Sequence, residues 1–161
     1  MASMIRAAVI RSHDAEIIRE RYDMSAERQP TGGSTWSGEI ALRWRDLDAL
    51  GHLYYGEYLV LLDQARMAMF AASVPGLGAD YVVARLEIDY RGQVVLDDGP
   101  LTAYVEVERV GRTSVTLRER LATHDGRVVV EARCVAVLWD SAGGVSREVT
   151  PAERRALSPE K

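Results

Sequence analysis

The sequence predicts a two-layer α+β domain, one antiparallel sheet covered by one long helix. Three observations carry this. Four stretches alternate apolar and polar residues with the period of two that marks a half-buried strand, and a fifth is more uniformly apolar. Only one stretch, Gly56 to Ser73, has the length and apolar breadth of a long helix. The strands that follow it are joined by tight, turn-rich connections, which favours antiparallel pairing.

The first strand is expected from Gly38, with Ile40, Leu42 and Trp44 alternating against Glu39, Ala41, Arg43 and Arg45. The helix follows. On its wheel Glu57, Asp63, Gln64 and Arg66 fall in one half, and Tyr58, Leu61, Leu62, Ala65, Ala68, Met69 and Ala72 in the other. Small alanines on that apolar face suit close packing on a sheet, and Val74-Pro75-Gly76 ends the helix. Residues 81–90 set Val82, Ala84, Leu86, Ile88 and Tyr90 against Tyr81, Val83, Arg85, Glu87 and Asp89. After the turn at Asp97-Asp98-Gly99-Pro100, Leu101, Ala103, Val105 and Val107 share a face. Val115, Leu117 and Leu121 oppose Thr116, Arg118 and Arg120, and Asp125-Gly126 is a hairpin signal. Val128 to Trp139 is more uniformly apolar, as a strand that is central or buried on both faces would be. Thr150-Pro151 followed by Glu153 reads as the capped start of a second, short helix.

The 161 residues suit one domain, and 47% apolar with 27% charged residues excludes wholesale disorder. The domain is expected over residues 38–140, with an N-terminal arm over 1–37 and a tail over 141–161. Within the arm, His13 to Arg28 reads as a charge-rich surface helix anchored by Ile17, Ile18 and Tyr22. No apolar run reaches the ~18 residues of a membrane span, and Arg6 breaks the one N-terminal run that resembles a signal peptide. A cytoplasmic setting is therefore expected. A formal net charge of −4 argues against nucleic acid as a partner. One helix leaves sheet edges open, and edge pairing in a symmetric dimer would close one.

Chemistry concentrates between the first strand and the helix, in Arg45-Asp46-Leu47-Asp48-Ala49-Leu50-Gly51-His52-Leu53-Tyr54-Tyr55. A helix start exposes N–H groups without intrahelical partners, and such amides can polarise a carbonyl. A nearby aspartate can attack that carbonyl or activate water. The same residues can equally build a turn, with Asp46 or Asp48 organising it and Gly51 supplying a left-handed backbone.

This segment, running on through Gly56-Glu57-Tyr58-Leu59, resembles the D-x-D-x-x-G helix-entry signature of the 4-hydroxybenzoyl-CoA thioesterase-like hotdog proteins. Ile88-Asp89-Tyr90-Arg91 and Gly111-Arg112-Thr113-Ser114-Val115 are similar to later strands of that family. The resemblance implies a hotdog fold, an antiparallel sheet wrapped around one central helix in the order β-α-β-β-β-β. It implies hydrolysis of an acyl thioester carried on coenzyme A or acyl carrier protein, without metal or organic cofactor, by a homodimer or a dimer-of-dimers tetramer. On the motif match Asp48 takes the catalytic carboxylate's place as nucleophile or general base, and the Tyr55 N–H polarises the carbonyl. His52 is a further catalytic candidate, while Gly51, Tyr54 and Tyr58 are expected to bind substrate. Asp46 reads as structural, and Glu57, early on the helix's polar face, as a rival carboxylate of lower rank.

Two other readings stay open, a non-catalytic acyl-thioester-binding hotdog protein and a hotdog hydratase or dehydratase pairing Asp48 with His52. No G-x-S-x-G elbow, H-E-x-x-H or lysine-bearing phosphate loop is present. Cys134 sits in an apolar strand and reads as core. Arg91, Arg109, Arg112, Arg118, Arg120 and Arg127 either grip coenzyme A phosphates or belong to a solvated strand face.

Overall fold

Apolar alternation becomes a single curled sheet. The computed structural model describes residues 35–77 and 80–158; the helix expected at His13 to Arg28 lies outside them. Strand β1 (Thr35–Ile40) leads to helix α1 (Tyr55–Ser73), then to β2 (Tyr81–Tyr90), β3 (Leu101–Val110), β4 (Ser114–Ala122) and β5 (Val128–Asp140). A two-residue strand β6 (Val145–Ser146) and helix α2 (Pro151–Leu157) complete the described chain. The sheet order is β1-β3-β4-β5-β2, every pair antiparallel, with β6 on the end of β5. β4 is the middle strand; β5 is interior, between β4 and the edge strand β2, and alternates buried with more exposed residues, and β1 is the other edge.

The inner face of the sheet and the underside of α1 form one core. Leu101, Ala103, Val105 and Val107 of β3 and Val115, Leu117 and Leu121 of β4 are buried against Leu61, Leu62, Ala65, Met69 and Phe70 of the helix. Cys134 lies in this core, fully buried, and burial pushes its thiol up to about 11. It is a packing residue.

Three expectations change. β1 begins at Thr35 and ends at Ile40, so Leu42 lies beyond the strand and Trp44, 77% exposed, opens a 3-10 turn. The inward row is therefore Trp36, Gly38, Ile40. In β2 a register shift between Val83 and Arg85 reverses the alternation, since an extra residue rotates everything before it to the other face. Tyr81, opposite Leu138, thus packs against the core, and Val82 faces outward. The third change is Arg66, expected on the polar half of the helix and found 2% exposed.

Arg66 is buried because it has a partner in the core. Glu119 continues the inward row of Val115, Leu117 and Leu121 and is fully buried. Arg66 Nε and Nη2 donate to Glu119 Oε1 and Oε2 at 2.8 and 3.0 Å. Arg66 Nη1 also donates to Asp63 Oδ1 at 2.7 Å, and the Tyr81 hydroxyl donates to the same oxygen at 2.9 Å. Burial works against the guanidinium's charge, but the hydrogen bonds and charge of Glu119 outweigh it and hold Arg66 above its ordinary value. Helix α1 is thereby clamped to β4 through Glu119 and to β2 through Tyr81.

The second helix is set by its cap. Glu153 N–H donates to Thr150 Oγ1 at 3.2 Å, and Thr150 N–H donates to Glu153 Oε2 at 2.8 Å, a reciprocal capping box. Arg147 adds two bonds to the Glu153 carboxylate at 2.7 and 3.0 Å. Arg154 ties the helix to the end of β3 through the carbonyls of Val110 and Gly111.

The clamp and the cap each lead to a stability measurement. Arg66→Met, which leaves the buried Glu119 without its partner, should lower unfolding free energy in urea by about 3–5 kcal/mol. Glu119→Gln, which leaves Arg66 its bond to Asp63, should cost less, and the double change Arg66→Met with Glu119→Leu should restore most of the loss. Arg66→Met costing under about 1 kcal/mol would show that the clamp does not hold the helix. The Arg147 hydrogen bond holds the Glu153 carboxyl below the usual carboxylate range. Its stabilisation is therefore present above the unfolded glutamate value near ~4.3 and is lost as pH falls through the lower folded value. The stability gap between wild type and Glu153→Gln should be constant at neutral pH and close on acidification below that point.

Candidate active site

The segment from Asp46 to Tyr54 folds back on itself. Tyr54 N–H donates to the Asp46 carbonyl at 2.9 Å, Leu47 and Leu53 form an isolated antiparallel bridge, and Asp48 N–H donates to the His52 carbonyl at 2.7 Å. Leu53, buried, donates its N–H to the Val94 carbonyl at 2.8 Å and ties the loop to the chain between β2 and β3. Asp46 is buried and structural, its Oδ2 accepting the Arg43 N–H at 2.8 Å to close the 3-10 turn.

Asp48 organises the tip. Its Oδ1 accepts the N–H groups of Leu50 at 2.8 Å and His52 at 3.1 Å, an Asx-type turn that needs a left-handed residue to close. Gly51 supplies it, with φ +79°. Oδ2 has no hydrogen-bond partner among the described residues. His52 contributes its main chain to the turn, and its ring makes no hydrogen bond with the described residues.

The loop delivers the chain directly into α1 with its first amides uncovered. Tyr54 is the N-cap and offers no side-chain acceptor. Glu57 N–H returns to the Tyr54 carbonyl at 2.8 Å, but the N–H groups of Tyr55 and Gly56 meet no acceptor among the described residues. Serine, aspartate or asparagine at the N-cap would have covered one of these first-turn amides. The helix start is thus a concentration of unsatisfied donors and partial positive charge.

Aromatic rings surround it. Tyr54 and Tyr55, 44% and 64% exposed, have centroids 4.5 Å apart, and the neighbouring Tyr55 phenol holds the Tyr54 hydroxyl above its ordinary value. Tyr58 points the other way, into the core at 3% exposure, with its hydroxyl 3.3 Å from the Gly92 carbonyl. Burial pushes its phenol up to about 12. Tyr90 packs edge-on against Tyr58 at 5.4 Å and donates its hydroxyl to the Tyr55 carbonyl at 3.1 Å. The sequence places Tyr90 in the alternating row of a strand and in the family-like segment Ile88 to Arg91, with no role at the site. Glu57 lies on the β1 flank of the helix, lining a cavity of about 260 Å³ with Arg43, Arg45 and Asp46.

Most of the arginines proposed as phosphate ligands are engaged elsewhere. Arg91 pairs with Glu131 at 2.8 Å, Arg112 with Glu148 at 2.9 Å, Arg118 with Glu108 at 2.7 Å and Arg127 with Asp98 at 3.2 Å. Arg120 lies over the Tyr104 ring. Among the described residues no three His, Cys, Asp or Glu side chains gather as a metal site.

Residues 50–130, half of the chain, match the thioesterase superfamily family model. The chain belongs to the thioesterase superfamily. The matched segment starts two residues after Asp48 and takes in Gly51, the whole of α1 and strands β2 to β4. Among solved structures, a thioesterase from Thermus thermophilus, crystallised with coenzyme A and zinc, is 26% identical, with a TM-score of 0.69 over 78% of this chain and 92% of that one. A predicted thioesterase from Bacillus stearothermophilus is 27% identical, with a TM-score of 0.68 over 76% and 93%. The 4-hydroxybenzoyl-CoA thioesterase of Pseudomonas sp. strain CBS-3, at 18% identity, shares the fold, with a TM-score of 0.68 over 76% and 98%. No curated protein matches the chain. The curled sheet around α1 is the hotdog fold that the helix-entry motif implied.

The loop geometry sets a control for any test of this superfamily member. Asp48→Asn keeps an oxygen where Oδ1 sits and should leave the loop folded, with unfolding free energy within about 1 kcal/mol of wild type. Gly51→Ala should cost about 1–2 kcal/mol, because alanine must enter a left-handed backbone. Equal stability of Gly51→Ala and wild type would mean that the turn is not held in this conformation.

Proposed function

We propose that the protein hydrolyses acyl-CoA thioesters at the junction of the Asp48 turn and the start of α1. Superfamily membership supports thioester hydrolysis, and the coenzyme A bound to the Thermus relative supports coenzyme A as carrier. The observation that carries the reading is the uncapped helix start directly behind the Asp48 turn.

In this mechanism the thioester oxygen lies against the free N–H groups at Tyr55, which stabilise the negative charge that develops as the carbonyl carbon becomes tetrahedral. Oδ1 of Asp48 is held by two amides, which leaves Oδ2 to attack that carbon. The C–S bond breaks, coenzyme A leaves as thiolate and takes a proton from solvent, and an acyl–Asp48 anhydride remains. Water then cleaves the anhydride, releasing the carboxylic acid and restoring the carboxylate. No metal or organic cofactor takes part. Tyr54, half exposed and beside Gly56, lines the route of the acyl group, while Tyr58 supports the site from within the core.

The working unit is a homodimer, or a tetramer built from two of them. β2 is an edge strand carrying exposed Val82, Val83 and Tyr90, a surface that pairing with a second copy would cover. No helix among the described residues is long and apolar enough to cross a membrane, and the proposed setting is the cytoplasm, where a lone buried thiol stays reduced.

Thiol release from aromatic, short-chain and long-chain acyl-CoAs tests the proposal. Wild type should turn over at least one class, and Asp48→Asn should lose roughly 10²–10³-fold in kcat while staying folded. Full activity in Asp48→Asn would move the carboxylate role to Glu57. Tight acyl-CoA binding without turnover, indifferent to the same change, would favour the non-catalytic reading. Loss of enoyl-CoA absorbance without thiol release would favour hydration.

A further inference from the structure

The Tyr90 hydroxyl donates to a main-chain carbonyl at the one place where the helix start is uncovered. Its acceptor is the Tyr55 carbonyl, 3.1 Å away. That carbonyl shares a rigid peptide plane with the N–H of Gly56, which has no acceptor among the described residues. Resting on the thioesterase reading above, we infer that Tyr90 is a positioning residue of the oxyanion site. Its hydroxyl orients and polarises the peptide between Tyr55 and Gly56, so that the Gly56 N–H joins the Tyr55 N–H as a second donor to the thioester oxygen.

The chemistry of the peptide group makes this coupling specific. A carbonyl oxygen has two lone pairs, and in a helix one accepts the N–H four residues on. A second bond, from Tyr90, draws electron density toward the oxygen and leaves the N–H on the far side of the same plane a stronger donor. Successive N–H groups in a first helical turn point the same way, out of the helix end, so two of them can meet one anion.

The donor is held firmly. Tyr90 closes the ladder of β2 against Val130 of β5 and its ring stands edge-on to Tyr58. Tyr58 is itself buried, with its hydroxyl on the Gly92 carbonyl. Within the single chain Tyr90 is 47% exposed, and its hydroxyl takes this one main-chain acceptor. On the other side, a Cβ added to Gly56 would lie 2.7 Å from Tyr54 Cε1. Glycine there lets the Tyr54 ring lie against the helix start.

Tyr90→Phe removes the hydroxyl and keeps the ring on Tyr58. In ¹H–¹⁵N spectra of the ligand-free protein the Gly56 amide proton should move upfield, because its peptide loses the polarising bond. With the acyl-CoA that wild type cleaves fastest, kcat should fall roughly three- to tenfold while KM stays within about twofold. A ring that merely packed would move neither readout. A Gly56 resonance that does not move in the variant, or an unchanged kcat, overturns the inference. Silence of wild type toward every thioester, together with a shifted Gly56 amide, would instead sink the thioesterase reading while supporting the hold of Tyr90 on the peptide.

Discussion

A buried ion pair decides where the helix lies. Arg66 and Glu119 meet in two hydrogen bonds at the centre of the layer between α1 and the sheet. Unlike apolar contact, which tolerates sliding, a bidentate guanidinium–carboxylate pair fixes distance and direction together. Its low-dielectric surroundings make a misplaced helix costly, since the Glu119 carboxylate would be left in that core without its counter-charge. Asp63 and Tyr81 extend the hold to the β2 edge. With the middle of α1 fixed against β4 and β2, its first turn is fixed too, about three turns away along a rigid helix.

That first turn lacks the stability that a side-chain cap would add. A tyrosine at the N-cap leaves two amides unsatisfied where a serine or aspartate would contribute about 1 kcal/mol. The neighbouring aspartate, Asp48, serves the turn before the helix rather than the helix itself. The turn and the uncapped start belong together: the Asp46–Tyr54 backbone bond closes the loop and sets the carboxylate and the free amides a fixed chain distance apart. By contrast α2, which carries no proposed chemistry, has a complete capping box.

Much of this was legible in the residues. Period-two alternation located β3 and β4 and the inward row of each, and the length of one apolar stretch located α1 to within a residue. Thr150, Pro151 and Glu153 announced α2. What alternation could not show was a bulge: one extra residue near Ala84 turns Tyr81 from the outer to the inner face, and nothing in the local pattern marks it. Arg66 was placed with the polar residues because a helical wheel weighs each side chain singly, whereas its burial depends on a partner 53 positions away. The signal was present in β4, where Glu119 breaks an otherwise apolar row. At the site the motif identified Asp48, Gly51 and Tyr55 as neighbours but not the division of labour between the two oxygens of Asp48. Tyr90 was legible only as part of an alternating, family-like strand end, since its contact with Tyr55 exists only once β2 is laid beside α1.

Everything proposed for the site depends on the free amides at the start of α1 polarising a thioester carbonyl. The most direct measurement is the carbonyl stretch of a ¹³C-labelled acyl-CoA bound to the Asp48→Asn variant, taken by isotope-edited infrared difference spectroscopy. Asp48→Asn keeps the loop while slowing cleavage, so the intact thioester can be observed in place. The expected band lies at lower frequency than that of the same acyl-CoA in water, because the C=O bond weakens as the amides draw charge to its oxygen. A bound thioester absorbing at or above its solution frequency would contradict the account.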